Sequence, residues 1–212
     1  MLTPEEISRY VFDQRLKNRG FQRVAGVDEV GRGALAGPVV AAVCLLPPEF
    51  SLPGINDSKE IKENERISIY RAIIADASVE FAIGLVSAEG IDELGIHRAS
   101  LLAMERACAS LKKPVDCILV DGKYIPKISP LPRYIEAIPK GDQKSASIAA
   151  ASIIAKVRRD AMMRQMHLID SRYALNRNKG YGTKEHREAI ARFGISPDFH
   201  RISFRPCQSA IR

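Results

Sequence analysis

Two adjacent acids end a short apolar run in the stretch Val24-Ala-Gly-Val-Asp-Glu-Val-Gly-Arg-Gly-Ala-Leu-Ala-Gly-Pro38. Neighbouring side chains of an extended strand point to opposite faces, so Asp28 or Glu29 is expected to face the core. A carboxylate in a core needs a divalent cation or a basic partner to compensate it. The glycines of Gly31-Arg32-Gly33 allow backbone N–H groups to approach a ligand closely. This combination indicates phosphodiester chemistry, and the simpler alternative is that Asp28 caps the turn.

The composition is that of one compact globular domain with a basic end. The chain has 212 residues, of which 46% are hydrophobic, and its net charge is +7. That length is enough to bury a substantial core. Residues 176–212 carry eight Lys or Arg against three Asp or Glu. A basic segment beside an acidic centre suits a nucleic-acid enzyme, although taken alone it favours an ordinary solvated face.

The cysteines and the apolar runs indicate the cellular compartment of the protein. Four cysteines are scattered without a Cys-x-x-Cys pair: Cys44, Cys108, Cys117 and Cys207. None of the four histidines has zinc-site spacing, so we expect no structural zinc and reduced, buried thiols. Glu5 and Glu6 near the N-terminus are not typical of a signal peptide, and the apolar run 39–46 is too short to cross a bilayer. These patterns predict a soluble cytoplasmic protein.

Helix and strand patterns alternate along the chain. Thr3 and Glu6 form a capping box that opens a helix, and Gly20 closes it. Periodicity predicts strands at 23–30, 39–46, 79–85, 115–121 and 134–138, and further helices at 59–77, 96–111, 145–171 and 183–193. The first two strands are close enough in sequence to pair antiparallel. The sequence thus predicts an α/β fold, a mixed five-stranded sheet with helices packed on it and a C-terminal helical segment.

Two further acids lie where a ligand site is expected. Asp121 ends a predicted strand, and ligands gather beyond the carboxyl ends of strands in open α/β sheets. The pair Asp121-Gly122 is equally a common turn. Asp142 precedes the long helix and is either a first-turn stabiliser or part of a helix N-terminus that holds a phosphate with Lys140, Lys144 and nearby serines.

Asp160 lies on the apolar stripe of the same predicted helix, together with Ile153 and Val157. A carboxylate on that stripe requires a cation, a hydrogen-bond network or a nearby metal. The competing explanation is a salt bridge to Lys156 or Arg164. Both explanations stay open.

Two C-terminal segments carry nucleic-acid-binding chemistry. Tyr181 stands between two glycines in Gly180-Tyr181-Gly182-Thr183, where its ring could stack on a base or sugar or simply pack on a turn. The segment His200-Arg201-Ile202-Ser203-Phe204-Arg205 could add phosphate contacts or form an ordinary surface strand or turn. Neither segment decides the function alone.

Together these segments resemble the type 2 ribonuclease H family, bacterial ribonuclease HII. The resemblance covers about residues 21–206, and its motifs keep their order along the chain. They are Asp28-Glu29-Val30-Gly31-Arg32-Gly33, Leu35-Ala36-Gly37-Pro38, Asn56-Asp57-Ser58-Lys59, Val120-Asp121-Gly122, Lys140-Gly141-Asp142, the stretch from Ser147 to Val157, Arg159-Asp160, Gly180-Tyr181-Gly182-Thr183, His200-Arg201 and Ser203-Phe204. Ala34 departs from the proline that family members often carry, which affects the stiffness of the loop and not its chemistry.

The resemblance implies a ribonuclease H-like fold and cleavage of the RNA strand of RNA–DNA hybrids. It further implies incision on the 5′ side of single ribonucleotides in duplex DNA, leaving 3′-hydroxyl and 5′-phosphate ends. The implied catalytic acids and metal ligands are Asp28, Glu29, Asp121 and Asp142, with Asp160 as a further metal-site acid. Two divalent ions, Mg²⁺ or Mn²⁺, are the implied cofactors, since hard cations take oxygen ligands.

The implied nucleic-acid contacts come from Gly31, Arg32, Gly33, Lys59, Lys144 and Tyr181. The glycine loop would sense a 2′-hydroxyl, and Tyr181 would stack on the adjoining deoxyribose. We expect an N-terminal helix at 1–20, a catalytic domain at 21–172 and a basic helical segment at 173–212 that completes the substrate groove.

Two other classes of function remain open at this point. One is a nucleic-acid-binding domain without activity, in which the acids are structural. The other is a different nuclease on the same architecture, such as a junction resolvase or a type 1 ribonuclease H. The sequence also leaves open the preferred ion, the role of the first helix and a possible sliding-clamp partner, and a monomer is the default expectation.

Overall fold

The computed structural model describes residues 2–210. The helices are α1 (Pro4–Asn18), α2 (Glu63–Ala75), α3 (Ala88–Leu94), α4 (Ile96–Ala109), α5 (Ala146–Ile169), α6 (Leu175–Asn178), α7 (Lys184–Phe193) and α8 (Arg205–Gln208). The strands are β1 (Val24–Val30), β2 (Val39–Leu45), β3 (Glu80–Val86), β4 (Cys117–Asp121) and β5 (Tyr134–Ile138). Short 3₁₀ turns lie at Gly141–Gln143 and Ser171–Tyr173.

The five strands form one mixed sheet in the order β3-β2-β1-β4-β5. The β1–β2 and β2–β3 pairs are antiparallel, whereas β1–β4 and β4–β5 are parallel. The predicted sheet and its first antiparallel pair are therefore confirmed. The parallel pairing brings the carboxyl ends of the three strands β1, β4 and β5 to one edge.

Helix α5 packs unusually close to β1, and the contact depends on Gly26. A Cβ added to Gly26 would lie 2.2 Å from the backbone nitrogen of Ile148 and 2.2 Å from the carbonyl carbon of Ser147. The first turns of α5 are rich in alanine, which lets the helix backbone approach the sheet. Gly84 makes the same kind of close approach to α4 on the other face of the sheet. The contact at Gly26 fixes the N-terminus of α5 against the strand that carries Asp28.

Helix α1 is tied to the start of α5 by the buried carboxylate of Asp13. The carboxylate accepts hydrogen bonds from the hydroxyls of Ser145 and Ser147, each at 2.6 Å, and from the backbone N–H of Ser147 at 2.8 Å. A carboxylate at a helix N-terminus is favoured by the orphan N–H groups and by the helix dipole. Asp13 thus occupies the helix terminus at which the sequence left a phosphate as an alternative. The capping box of Thr3 and Glu6 is confirmed at the start of α1.

The C-terminal segment shares a small core with Leu35, Ala36 and Met163. Two buried arginines also fasten it to the glycine-rich loop. Arg159 donates to the carbonyls of Pro38, Lys179 and Ala36 at 2.8–3.1 Å. Arg201 donates to the carbonyls of Gly37 and Arg32 at 2.8–3.0 Å. Lys179 belongs to the C-terminal segment and the other four carbonyls to the loop 31–38. The two guanidinium groups therefore set the path of that loop.

Helix α3 and the short helices α6 and α8 are additions to the predicted elements. The pattern of α3 is too short to show helical periodicity, although Ser87 caps it through the backbone N–H of Gly90. None of the helices within residues 2–210 combines the length and the hydropathy that a membrane span requires. All four cysteines are free thiols, three of them buried and Cys108 half-buried.

We predict that Gly26→Ala destabilises the protein by about 3 kcal/mol, because overpacking against immobile backbone cannot relax by a side-chain rotation. Gly33→Ala is the matched control, since a Cβ there meets nothing within 4 Å, and its effect should stay within about 0.5 kcal/mol. Urea unfolding followed by circular dichroism gives both values. Equal stability of the two variants would contradict the close contact of α5 with β1.

Candidate active site

Asp28 and Asp121 lie near the carboxyl ends of two neighbouring parallel strands. Val27 pairs with Val120 in the sheet register, so the next residue of each strand is an aspartate. Residues at the same register position of adjacent strands point to the same face, here the face covered by α5. The Asp28 carboxylate accepts the backbone N–H of Glu29 at 2.7 Å, and the Asp121 carboxylate accepts that of Gly141 at 2.7 Å. The fold thus brings these two acids together.

Burial and mutual repulsion act on Asp28. Desolvation is the main cause that raises its pKa well above the usual range, and the charges of Glu29 and Asp121 add to it. The N–H of Glu29 and the hydroxyl of Ser152 act in the opposite direction but do not outweigh the burial. Burial and neighbouring negative charges therefore disfavour the ionised form of Asp28.

Glu29 faces the side of the strand opposite to Asp28. Burial raises the pKa of its carboxyl group, Asp121 adds to the rise, and Arg32 opposes it. The Arg32 guanidinium lies 3.0 Å from the Glu29 carboxylate and is 46% exposed. Arg32 thereby neutralises part of the acidic cluster while it remains accessible to a ligand.

Asp142 reaches the same edge of the sheet from the turn after β5. It lies in the 3₁₀ turn Gly141–Gln143, directly before α5, and its residue is 4% exposed. Burial raises the pKa of its carboxyl group to about 6, helped by the charges of Asp57 and Asp121 and opposed by Lys59. Asp142 is therefore an electrostatic neighbour of the acids on β1 and β4.

An open cleft of about 640 Å³ lies over the carboxylates of Asp28, Glu29 and Asp121, whereas Asp142 is not one of its lining residues. Its lining includes the acids Asp28, Glu29 and Asp121, the loop Gly31-Arg32-Gly33, the side chains Ser58, Lys59, Arg66, Ser152 and Lys156, and Tyr181. Burial opposes the charged form of Lys59, but the charges of nearby aspartates outweigh it and raise the pKa of its ammonium group. These aspartates are Asp57, Asp28, Asp142 and Asp121. Lys59 thus lies in the field of the acids.

The donor set fits a hard divalent cation. Carboxylate oxygens are the ligands that Mg²⁺ and Mn²⁺ prefer, and such ions commonly use one or two carboxylates together with waters and substrate phosphate. Within residues 2–210, no group of three or more His, Cys, Asp or Glu is arranged to hold an ion by itself. The neighbouring carboxylates of Asp28 and Asp121 match an ion that also takes waters and substrate phosphate as ligands. A cation there would offset the repulsion that contributes to the raised pKa of Asp28.

The glycine-rich loop and the Gly-Tyr-Gly segment form one wall of the cleft. The backbone N–H of Leu35 donates to the carbonyl of Gly180 at 2.7 Å, and Ala34 pairs with Tyr181 in an isolated bridge. The Tyr181 ring lies 5.8 Å from the Lys156 ammonium. Gly31 has a φ of +94°, and a Cβ there would collide with Arg159. The fold therefore requires glycine at position 31 before any ligand is considered.

Asp160 lies behind the cleft and not on its lining. Its carboxylate is 2.7 Å from the Lys156 ammonium and 3.7 Å from the Arg66 guanidinium. The salt bridge to Lys156 is thus confirmed, whereas Arg164 pairs with Glu63 instead. The role of Asp160 as a metal ligand stays a prediction that this pairing does not favour.

Three other residues differ from their sequence-based expectations. Lys144 is exposed, but its ammonium group donates to the carbonyl of Pro139 at 2.9 Å and does not line the cleft. His200 and Arg201 were expected at the surface, and both are almost fully buried. The Nε2 atoms of His200 and His186 lie 3.1 Å apart, and burial lowers the pKa of both imidazoles. The burial of His200 and Arg201 does not favour phosphate contacts from these two side chains, whereas Ile202 and Ser203 of the same segment do form an exposed turn.

Sequence reasoning did not single out Ser152, Lys156 or Arg66 as cleft residues. Ser152, Lys156 and Asp160 recur every four positions along α5, which places them on one face of the helix. That spacing was a usable signal. Arg66 has no such signal, because its position depends on how α2 packs against α5.

Comparisons with known proteins agree with this arrangement of motifs. A family model described as Ribonuclease HII matches residues 25–207. A ribonuclease HII of Chlamydia pneumoniae is 47% identical over 200 residues, which cover 94% of this chain and 91% of that protein. One from Syntrophotalea carbinolica is 47% identical over 201 residues, with 95% and 94% covered.

Solved structures share the fold. Ribonuclease H2 from Pyrococcus horikoshii matches with a TM-score of 0.69 and 24% identity over 89% of this chain and 96% of that one. Bst-RNase HIII in complex with Mn²⁺ matches with a TM-score of 0.74 and 20% identity, covering 89% and 69%. A PCNA:RNase HII complex from Archaeoglobus fulgidus matches with a TM-score of 0.64 and 23% identity, covering 86% and 95%.

The acidic cluster leads to a prediction about stability. Because the pKa of Asp28 is higher in the folded than in the unfolded chain, its ionisation at high pH weakens folding, and this penalty vanishes below the unfolded-state pKa. Asp28→Asn should therefore stabilise the metal-free protein by about 1 kcal/mol at pH 8 and by less at pH 4.5. Urea unfolding in the presence of a chelator measures the difference.

The exposed Asp198 supplies the matched control, and Asp198→Asn should show no gain at either pH. Saturating Mn²⁺ should stabilise the parent more than the Asp28 variant, since the ion offsets the repulsion. A variant that is no more stable than the parent at pH 8 would refute the electrostatic cost assigned to Asp28.

Proposed function

This chain belongs to the ribonuclease HII family, metal-dependent ribonucleases that cleave RNA in RNA–DNA hybrids, and from that premise we propose a more specific reaction. We propose that it also incises duplex DNA on the 5′ side of a single embedded ribonucleotide and leaves 3′-hydroxyl and 5′-phosphate ends. The observation that carries the proposal is the joint position of Asp28 and Asp121 beneath a wall made of Gly31-Arg32-Gly33 and Tyr181.

The proposed ligands of two divalent ions, Mg²⁺ or Mn²⁺, are Asp28, Glu29, Asp121 and Asp142. When bound, such ions supply an activated water, stabilise the leaving alkoxide and neutralise charge on the phosphate. The protein's own contribution is to hold four carboxylates at one sheet edge in a buried setting. Burial and, after it, like charges raise the pKa of Asp28 and of Asp142. These shifts support the role, since a bound cation favours the ionised form of both carboxyl groups.

The wall of the cleft would provide selectivity. A ribonucleotide differs from a deoxyribonucleotide in its 2′-hydroxyl, which backbone groups of Gly31-Arg32-Gly33 can bind at close range. The Tyr181 ring would stack on the adjoining deoxyribose, so the RNA-to-DNA junction becomes the recognised feature. Lys59 and Arg32 would contact backbone phosphates without reading sequence. In this proposal the segment 173–212 completes the groove by presenting Tyr181.

A duplex with one embedded ribonucleotide tests the reaction directly. The protein and Mg²⁺ are incubated with it, and the cut and its end groups are mapped. Incision on the 5′ side with a 3′-hydroxyl supports the proposal. Cutting only within a run of ribonucleotides would indicate type 1 specificity, and metal-independent binding without product would indicate a binding domain.

We predict that Asp121→Asn lowers the rate of cleavage at least about a thousandfold while hybrid binding changes by less than about threefold. The loss is expected because the variant removes a charge beneath the reacting phosphate but keeps the side-chain shape. Asp116→Asn is the control, since Asp116 precedes the other end of β4 and bonds to the N–H groups of Gln22 and Arg23. Near-parental cleavage by the Asp121 variant would remove this residue from the site.

For Tyr181 the expected signature is a change of substrate preference. Tyr181→Ala should lower incision at a single ribonucleotide about tenfold more than cleavage of a uniform hybrid, because one stacked ring is lost. Tyr181→Phe keeps the ring and should retain the parental preference. The stacking role fails if alanine and phenylalanine at this position behave alike.

Oligomeric state, partners and location stay predictions from the sequence. A monomer is expected, with a sliding clamp as a candidate partner and the cytoplasm as the compartment. Co-elution with a purified clamp on size-exclusion chromatography tests the first two together.

A further inference from the structure

The loop 54–61 carries Lys59 to the cleft without regular secondary structure. Such a loop needs other groups to hold its backbone in place. Inside the loop, the Asp57 carboxylate accepts the N–H of Lys59 at 2.9 Å, and the Asp57 carbonyl accepts the N–H of Glu60 at 3.0 Å. These local bonds shape the turn, but they do not attach it to the domain.

Arg66 of α2 attaches the loop from one side. Its Nη1 donates to the carbonyls of Ser58 at 2.6 Å and Ile61 at 2.7 Å. These two carbonyls bracket Lys59 in sequence. A guanidinium is planar and carries several donors in a fixed fork, so it holds two carbonyls in a defined relation.

Asp160 is the ionic partner that keeps Arg66 in place. Arg66 is 7% exposed and Asp160 is 2% exposed, so each charge would be costly without the other. The carboxylate of Asp160 binds Arg66 on one oxygen and Lys156 on the other. Both cations line the cleft, whereas Asp160 does not. The acid is therefore placed to set the position of cleft cations from behind.

Helix α1 holds the opposite end of the same loop. The Glu6 carboxylate accepts the N–H of Gly54 at 2.5 Å. Arg9 donates to the carbonyl of Ile55 at 3.1 Å and to the side-chain oxygen of Asn56 at 2.5 Å. The first helix, whose role the sequence left open, thus fixes the residues that lead into Asp57.

We propose that Arg66 and Asp160 are positioning residues, and that the Asp160–Arg66 pair holds the turn 57–61 so that Lys59 stays at the carboxylate cleft. This role rests on the proposed function only in its last step, the contact of Lys59 with a substrate phosphate. It gives Asp160 a task other than metal binding, which explains why an acid lies on the inward stripe of α5.

A double-mutant cycle tests whether the pair acts through Lys59. Asp160→Asn and Arg66→Lys should each lower kcat/KM on a hybrid about tenfold or more, mainly through KM, because a displaced ammonium binds the substrate less well. In a Lys59→Ala background the same substitutions should cause little further loss, since the group they position is gone. If the losses in kcat/KM from each substitution and from Lys59→Ala multiply in the double variants, the proposal is overturned. Parental kcat/KM in the single variants would also overturn it.

Two controls separate positioning from other roles. Glu80→Gln removes the ion pair of Arg23 and Glu80 at the opposite end of the sheet and should leave kcat/KM unchanged. This control shows whether the loss of any ion pair lowers kcat/KM. The Mn²⁺ concentration that gives half-maximal activity should be the same for Asp160→Asn and the parent. A marked rise in that concentration would identify Asp160 as a metal ligand and overturn the positioning role.

Amide hydrogen exchange supplies a readout that does not depend on activity. The amides of Lys59 and Glu60 should exchange faster in Asp160→Asn and in Arg66→Lys than in the parent or in Glu80→Gln. Unchanged exchange in both variants would refute the attachment of the turn, even if activity fell. If the parent cleaves no hybrid, the proposed function fails, and the exchange data still decide whether the pair holds the loop.

Discussion

The close contact between helix α5 and strand β1 at Gly26 is the constraint on which the site depends. No side chain separates the backbones there, so the first turn of α5 lies directly against the strand. The turn that precedes α5 is attached to β4, where the N–H of Gly141 donates to the Asp121 carboxylate. Asp142 comes from that turn, and Asp28 comes from the same face of the strand two residues after Gly26. Asp121 joins them because β4 runs parallel to β1 in register. A bulkier residue at position 26 would move the helix and separate the acids.

The second constraint is electrostatic. Burial and like charges raise the pKa of Asp28, Glu29 and Asp142, so the arrangement is unfavourable without a cation. The protein compensates locally with Arg32 and Lys59, and it keeps its other buried cations occupied elsewhere. Arg159 and Arg201 bind loop carbonyls, and Arg66 binds both carbonyls and Asp160. This division leaves the carboxylates available to a divalent ion while the walls of the cleft stay rigid.

Much of this could be predicted from sequence, and the failures have physical reasons. Strand periodicity and the position of Asp121 at a strand end gave the sheet and its acidic edge correctly, since both follow from local patterns. Arg201 was expected to contact phosphate or to lie in a surface strand or turn, whereas the carbonyls of Gly37 and Arg32 satisfy its guanidinium in a buried position. Arg66 gave no signal because its role arises from packing between α2 and α5. Asp160 has two ionic partners, and one of them was predicted. Lys156 lies one helical turn away, whereas Arg66 is distant in sequence.

The central claim is that Asp28, Glu29, Asp121 and Asp142 together bind divalent ions at a bound substrate. Anomalous scattering from Mn²⁺ tests it most directly, using crystals of the parent protein grown with a non-cleavable analogue of a duplex that contains one ribonucleotide. The account predicts Mn²⁺ peaks in contact with the carboxylates of Asp28 and Asp121 and with the phosphate beside the ribonucleotide. A duplex bound in the cleft with no Mn²⁺ at these carboxylates, or with the ions bound elsewhere, would contradict it.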